Sequence, residues 1–470
     1  MIDEILRHRS DRPALIAPAS DVRISYAALR ERVEALAEWL RGTVGPRGLV
    51  FLAPDAEPPG VLFYLACLRA GLPLCLAEPQ PEALARLAGA YGPALVLAPS
   101  GLPLPDGWTP GPSPLQPYVA ALANEPSELA LHPELALLLT TSGSTGSPKL
   151  VRLSARNLVA NASAIAAYLD LNPDERAVQS LPMHYSYGLS VLNSHLVSGG
   201  SVVLTPHSFM RPEFWAHVDE ERATSFAGVP YMYETLHRLR FDPARHPSLR
   251  TFTQAGGGLR RELIAHFWER TARVGAQLVV MYGQTEATAR ISYVPPDRLG
   301  DKIGSIGIPI PGGRLRLEPL EHGGDLAAEL VYEGDNVMMG YAEQPRDLGL
   351  GDVLCGVLHT GDLAVVDADG YFTLAGRLKR FAKLFGRRVS LEDVERELES
   401  AFPVRAMATD GGERLQVHFV TGDTVLDAAM VAHLARFLGV PPGAIRVRRL
   451  AELPLTASGK KDYRAVESAR

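Results

Sequence analysis

The segment Thr140-Thr141-Ser142-Gly143-Ser144-Thr145-Gly146-Ser147-Pro148-Lys149 follows an apolar run at 135–139 that reads as a strand. Its glycines free the backbone to aim amide groups at an anion, its hydroxyls donate further hydrogen bonds, and Lys149 adds a mobile positive charge. A polyphosphate requires that combination. The Walker pattern GxxxxGK[ST] is absent, so the usual phosphoryl-transfer loop is not implied. A Ser/Gly-rich linker would share this composition, but not the preceding strand or the terminal lysine. Lysine is scarce: among 47 lysine and arginine residues only Lys149, Lys302, Lys379, Lys383, Lys460 and Lys461 are lysines. Where arginine is otherwise so favoured, lysine marks places where a planar fork would fail and a flexible point charge is needed, or else plain solvated surface.

These residues must be held by a scaffold, and the 470 residues suffice for one large sheet-based domain and a smaller one. Hydrophobic residues make up 46% and charged residues 21%, which excludes disordered and coiled-coil classes. The net charge of −6 is spread without single-sign blocks, so neither a nucleic-acid footprint nor a polybasic membrane patch is indicated, and small molecules are the expected partners. Cys67, Cys75 and Cys355 lack any CxxC spacing, and no run of about 18 apolar residues occurs, so a cytoplasmic protein without disulfide framework or zinc site is expected.

Helical spacing of Leu29, Val33, Leu36 and Leu40 predicts an amphipathic helix within 24–42. Strands at 49–53, 74–77 and 94–98 alternate with a buried helix at 61–70, the pattern of βα units around a parallel sheet. Residues 99–116, rich in Pro and Gly, read as a surface connection. A helix follows at 155–169, with βα alternation to about 290. After 303 the runs 314–317, 329–332, 363–366 and 371–374 alternate in strand fashion between turns, predicting an antiparallel subdomain. The basic stretch 376–388 is the best place for a hinge. Beyond it a helix at 391–400, a strand at 414–420 and a helix at 426–438 make a small α+β domain. The expected architecture is α/β: a large N-terminal domain, 1–376, of βα-layered sheets with an antiparallel β subdomain, and a small mobile C-terminal domain, 377–470.

The phosphate-type loop resembles the signature of the adenylate-forming superfamily, which includes acyl-CoA synthetases, adenylation domains of peptide synthetases and luciferases. The likeness continues in order through GVPYMYETL at 228–236, AGGG at 255–258, YGQTE at 282–286, GSIGIPIPG at 304–312, AELVYEGDNVMMGY at 328–341, HTGD at 359–362, GRLKRFAKLFGRRVSLEDVE at 376–395 and PLTASGKKD at 454–462. The resemblance implies that a carboxylate attacks the α-phosphorus of ATP and expels pyrophosphate, after which a thiol, that of CoA or of a phosphopantetheine arm, takes the acyl group. Thr141, Ser142, Gly143, Ser144, Thr145, Gly146 and Lys149 would hold phosphates. Glu286 would ligate Mg²⁺, Thr285 would bond the α-phosphate, and Tyr282, with Gly283 and Gln284 beside it, would stack on adenine against Gly256, Gly257 and Gly258. Asp362 would accept both ribose hydroxyls, with Arg377 nearby. Taken singly, each acid also reads as surface and the tyrosine as core. Lys460 resembles the family's adenylation lysine, while its neighbour Lys461 is expected to be solvated. Lys379 falls at the family's hinge position, and Lys383 and Gly386 on the loop that serves the second half-reaction.

The segment 181–200 resembles the entrance of the family's acid pocket, with His184 as the gate near the reacting carboxylate or, alternatively, as a histidine packed at a helix start. Tyr187, Gly188 and Leu189 would line the acid tunnel, with Gln254 and Ala255 opposite. Amino-acid-activating relatives carry an aspartate early in this segment, and none stands between Met183 and Leu192, so an aliphatic or aromatic acid is expected over an α-amino acid. His359 and Ser390 depart from the family pattern without removing a group that adenylation needs. The first reading is therefore an acid–CoA ligase. The alternatives are the same activation with transfer to a separate carrier protein or an amine, and, more remotely, a non-catalytic nucleotide sensor. A serine hydrolase is a remote third reading, since GxSxG is absent.

Overall fold

The computed structural model describes residues 1–45, 47–125, 128–140, 149–320, 328–378, 381–384, 387–412, 414–421, 427–456 and 461–467. Contacts gather the chain into two units: Met1–Leu315 with Tyr332–Leu358, and Arg316–Val331 with His359–Arg470.

The first unit is built on two large mixed sheets. One has nine strands in the order Ile308–Pro309, Ser292–Tyr293, Gln277–Tyr282, Thr251–Gln254, Ser225–Gly228, Arg176–Val178, Ser201–Val203, Pro13–Ala17 and Val22–Ser25. Its middle strands are parallel and antiparallel pairs close both edges. The other has eight strands in the order Gly340–Ala342, Leu150–Ser154, Leu135–Thr140, Leu74–Leu76, Val50–Leu52, Leu95–Pro99, Tyr118–Ala123 and Trp108–Gly111. Its central parallel strands Val50–Leu52 and Leu74–Leu76 are short and wholly apolar because both faces are covered. One apolar cluster joins strands of both sheets to the helices Tyr26–Val44, Pro58–Ala70, Ala155–Tyr168 and Ser186–Val197.

Local chemistry sets these elements. Ser25 caps the helix Tyr26–Val44 by accepting from the Ala28 amide, and Ser154 with Asn157 forms a reciprocal capping box at the start of Ala155–Tyr168. The Asn157 amide also donates to the carbonyls of Asp335 and Val337, tying that helix start to the turn that leads into the strand Gly340–Ala342. One expectation fails: residues 99–116 are not wholly a connection, since Trp108–Gly111 pairs antiparallel with Tyr118–Ala123. It is an edge strand, where Pro110 costs no ladder bond that a central strand would need.

The sheet of Arg314–Glu318, Ala328–Glu333, Val357–Val366 and Phe372–Arg377, most of whose residues fall in the second unit, forms the antiparallel subdomain. Most of it thus falls with the C-terminal residues, whereas a division after 376 puts it with those before. Phe381–Leu384 and Arg387–Ser390 pair as a hairpin. Arg405–Asp410, Leu415–Val420 and Ile445–Arg449 form a three-stranded sheet whose apolar cluster includes residues of helices Leu391–Ala401 and Asp427–Leu438.

Candidate active site

In open α/β sheets ligands collect beyond the carboxyl ends of parallel strands. Here the strands Thr251–Gln254 and Gln277–Tyr282 run side by side in register, Gln254 opposite Val280, and deliver Ala255–Gly258 and Gly283–Glu286 to the same edge. The Gln254 amide donates to the Gly257 carbonyl at 2.9 Å. Gly256 has φ +86°, and a Cβ there would stand 2.6 Å from the Tyr185 hydroxyl, so both backbone and space require glycine. Gly283 is likewise fixed by crowding: a Cβ would fall 1.8 Å from the Ala289 carbonyl oxygen. Tyr282 is buried, with its hydroxyl accepting from the Gln284 amide at 3.1 Å.

Glu286 and Lys149 come together through a residue to which the sequence reading gave no role. The Tyr341 hydroxyl donates to Glu286 Oε1 at 2.7 Å, and Lys149 Nζ lies 3.5 Å above the centre of the Tyr341 ring. Lys149 also faces Glu343 Oε1 at 3.4 Å. Strand register explains the meeting: Gly340–Ala342 pairs antiparallel with Leu150–Ser154, Ala342 opposite Leu150, one residue past Lys149. Burial and the Glu286 charge both hold the Tyr341 phenol above its ordinary pKa, so it stays a donor. The Glu286 backbone is fixed by the Met338 amide, which donates to its carbonyl at 2.9 Å.

Arg152 fixes the strand that carries Tyr341. Fully buried, it donates to the carbonyls of Met339, Tyr341, Leu350 and Gly351, so all of its guanidinium nitrogens are satisfied although burial lowers its pKa.

Around the expected acid pocket, the Thr285 and Ser186 hydroxyls lie 3.1 Å apart, and the Tyr187 hydroxyl meets that of Thr253 at 2.8 Å, next to Gln254. Tyr187, Gly188 and Leu189 open the helix Ser186–Val197. Leu189 and Ser186 border a small recess of about 10 Å³, room for one water. His184 is partly buried, its Nδ1 has no hydrogen-bond partner, and burial lowers its pKa to about 4, so the ring is neutral at physiological pH. A cavity of about 580 Å³ opens elsewhere in this unit, bordered by Met1, Arg47, Pro133 and Cys355, and touches none of the expected site residues.

In the second unit, Asp362 and Arg377 are ladder partners, with Arg377 Nε 2.7 Å from Asp362 Oδ1. Asp362 is buried while more than half of the Arg377 side chain is exposed. Lys461 overturns expectation. It is not solvated: its ammonium donates to Glu395 at 2.9 Å, Glu399 at 3.0 Å and the Ala406 carbonyl at 2.6 Å. Burial alone would lower its pKa, but the two carboxylates outweigh it and hold the value above that of an ordinary lysine. Thr141, Ser142, Gly143, Ser144, Thr145, Gly146, Lys379, Gly386 and Lys460 lie outside the described residues, and of Lys383 only the strand position is described.

Among the described residues no group of three or more His, Cys, Asp or Glu side chains could enclose a metal. A lone carboxylate such as Glu286 fits Mg²⁺, which takes one or two carboxylates together with substrate phosphates.

Layered sheets whose loops present glycines, a carboxylate and a lysine at the strand ends define a nucleotide-using enzyme. The chain belongs to the AMP-binding enzyme family, whose model matches residues 2–342. It is an AMP-forming ligase of the acyl-CoA-synthetase kind. Feruloyl-CoA synthase of an Amycolatopsis species is 33% identical over 405 residues, 83% of this chain and 80% of that protein. Sulfoacetate–CoA ligase of Cupriavidus necator is 33% identical over 400 residues, 81% of this chain and 74% of that one. The solved structure of ATP-bound MatB from Rhodopseudomonas palustris shares the fold at a TM-score of 0.78 and 23% identity, covering 100% of this chain and 98% of its own. Among the described residues no helix is long and apolar enough to cross a membrane.

Proposed function

We propose that this enzyme joins a carboxylic acid to CoA in two steps on one nucleotide. In the first, a carboxylate oxygen attacks the α-phosphorus of ATP, the bond to the bridging oxygen of the β-phosphate breaks, and pyrophosphate leaves. In the second, the thiol of CoA attacks the acyl carbon and AMP leaves. The observation that carries the reading is the run of contacts from Lys149 through Tyr341 to Glu286, which gathers a cation, a neutral donor and an anion at the end of the glycine- and hydroxyl-rich loop. Such preorganised charge is what a departing pyrophosphate needs.

In this reading Lys149 and the loop at 141–146 bind the phosphates, and Thr285 orients the α-phosphate. Glu286 would hold Mg²⁺, whose part is to neutralise charge on the phosphates. Tyr282 and Gly256–Gly258 seat the adenine, and Asp362, steadied by Arg377, takes the ribose. Neutral His184 borders the reacting carboxylate without competing for it as a cation, beside Tyr187, Gly188, Leu189, Gln254 and Ala255. Lys460 bridges the acid and the α-phosphate. The residues after 376 act as a lid that turns about Lys379 between the two steps, bringing Lys383 and Gly386 into the second. Three free cysteines suit a reducing cytoplasm.

The test is pyrophosphate exchange across fatty, aryl and amino acids, followed by CoA, carrier protein and amines as acceptors for the best acid. Acid-dependent exchange and a CoA thioester are expected. A product only with a carrier or an amine would replace the acceptor, and no exchange with any acid would refute the reading. A bulky replacement at Gly386 should slow thioester formation more than exchange.

A further inference from the structure

Two arginines of the first unit are almost wholly buried, and they differ in one respect. Arg152 has every guanidinium nitrogen occupied by a backbone carbonyl. Arg290, 3% exposed, donates through Nη1 to the Ala289 carbonyl at 3.2 Å, while its Nε has no partner. No carboxylate forms an ion pair with it among the described residues. A buried charge is costly unless it is paired, and an orphaned donor on it adds to the cost.

The position of Arg290 is enforced. Thr288 and Ala289, immediately before it, have φ +56° and +116°, a region that side chains other than glycine rarely occupy. The strain is held by a set of buried bonds: Asn336 Nδ2 donates to the carbonyls of Ala287 at 2.7 Å and Arg290 at 2.8 Å, and the Thr288 hydroxyl donates to the Asn336 carbonyl at 2.6 Å. Asn161 adds a donor to the Arg290 carbonyl at 3.3 Å. Strain so over-determined is found where a side chain must be aimed.

Its surroundings say what it is aimed at. The guanidinium carbon lies 3.9 Å from the ring centre of Tyr187, and Tyr185 stands edge-on to Tyr187 at 6.3 Å. Burial pushes the phenols of Tyr168, Tyr185 and Tyr187 up, and the Arg290 charge opposes it at all three, helped at Tyr168 by a side-chain hydrogen bond with Arg290, so that the orphaned donor on the guanidinium is its Nε. The cation therefore sits within a ring of tyrosines on the side of the site expected to take the acid. A cation there repels the ammonium of an amino acid and attracts a second anion, which a planar fork binds in two places.

We infer that Arg290 is a specificity-determining residue that binds a second oxyanion on the substrate, so that the acid activated here is a dianion, a carboxylic acid bearing a further carboxylate or sulfonate. The inference rests on the acid-pocket placement proposed above. It replaces the unspecified aliphatic or aromatic acid with a chemical class.

The test uses the full chain and acids paired by skeleton: butanoate against succinate and 3-sulfopropanoate, benzoate against 1,2- and 1,3-benzenedicarboxylate. Calorimetry reads binding, and pyrophosphate exchange reads kcat/KM. In at least one set the dianion should bind about 10- to 100-fold tighter than its monoanion, the range for hydrogen bonds to a charged group. Arg290→Gln should bring that ratio close to one, and Arg290→Lys, which keeps the charge but not the fork, should retain part of it. The carboxylate and sulfonate arms distinguish which oxyanion is read. Monoanions binding as well as dianions in every set, no binding by either, or a preference that survives Arg290→Gln would overturn the inference. Should Arg290→Gln fail to fold, the wild-type ratios and Arg290→Lys still decide. Exchange with monoanions alone refutes this inference and leaves adenylation standing; preferential dianion binding without exchange does the reverse.

Discussion

Lys149 and Lys461 are both lysines beside glutamates, yet their surroundings differ in kind. Lys149, about one-third exposed, has one carboxylate at 3.4 Å that is itself 61% exposed, and an aromatic face beneath it. An ammonium has three donors, and those of Lys461 are all taken, by Glu395, Glu399 and the Ala406 carbonyl. Tyr463 adds its hydroxyl to the same Glu395 oxygen at 3.0 Å. A lightly held cation is available to an incoming phosphate; a saturated one holds the fold. Scarcity of lysine therefore marks important positions without saying which kind of importance each has.

The largest test of the division contrasts neighbours in the chain. Lys460→Ala should reduce adenylate formation by roughly a thousandfold or more, the scale of losing a group that stabilises transition-state charge, while transfer from a preformed adenylate continues. Equal loss of both steps would merge the roles that the comparison separates.

Lys461→Met should instead act on stability, lowering it by about 3 kcal/mol in urea unfolding because two carboxylates are left unpaired. An unchanged unfolding midpoint would mean that the three bonds contribute nothing net.

Lys149→Ala should raise the KM for ATP about 10- to 100-fold and leave the melting temperature nearly unchanged, since an exposed ion pair is worth little to stability. A large melting shift with an unaltered KM would move Lys149 into the structural class with Lys461. Tyr341→Phe removes a single hydroxyl donor from Glu286, and a loss of about fivefold in kcat/KM is expected.

The smallest effect concerns His184, whose folded pKa of about 4 lies below the ordinary value near 6.5. Its contribution to stability is complete above about pH 6.5 and declines as pH falls towards 4, because the unfolded chain takes up the proton first. An NMR titration should place its midpoint near 4, and the exchange rate should show no inflection from this residue between pH 6 and 8. A midpoint near 6.5 would remove the claim that the ring is neutral by burial.

Local pattern made much of the fold legible. The strand Leu135–Thr140, the helix Ala155–Tyr168 and the helix Leu391–Ala401 were expected to within a residue or so, because apolar periodicity reflects each element's own burial. The helix Pro81–Tyr91 lies outside the elements expected from the sequence although its apolar positions have helical spacing, and proline and glycine neighbours hide the edge strand Trp108–Gly111. In the candidate site, motif residues such as Glu286 could be singled out, but their partners could not. Tyr341 is 55 residues from Glu286, and Lys461 is 66 from Glu395. Periodicity carries no record of which distant side chain answers a charge. For the same reason Arg290 looked like one arginine among many, although an arginine amid the apolar residues Ala289, Ile291 and Val294 was a visible signal.

Arg152 sets a rule for anyone recombining this enzyme with its relatives. Its guanidinium joins the strand Leu150–Ser154 to four carbonyls between Met339 and Gly351, so the two stretches form one graft unit. A crossover that takes the first from one parent and the second from another would disturb the seat of Tyr341 even where every motif residue is retained.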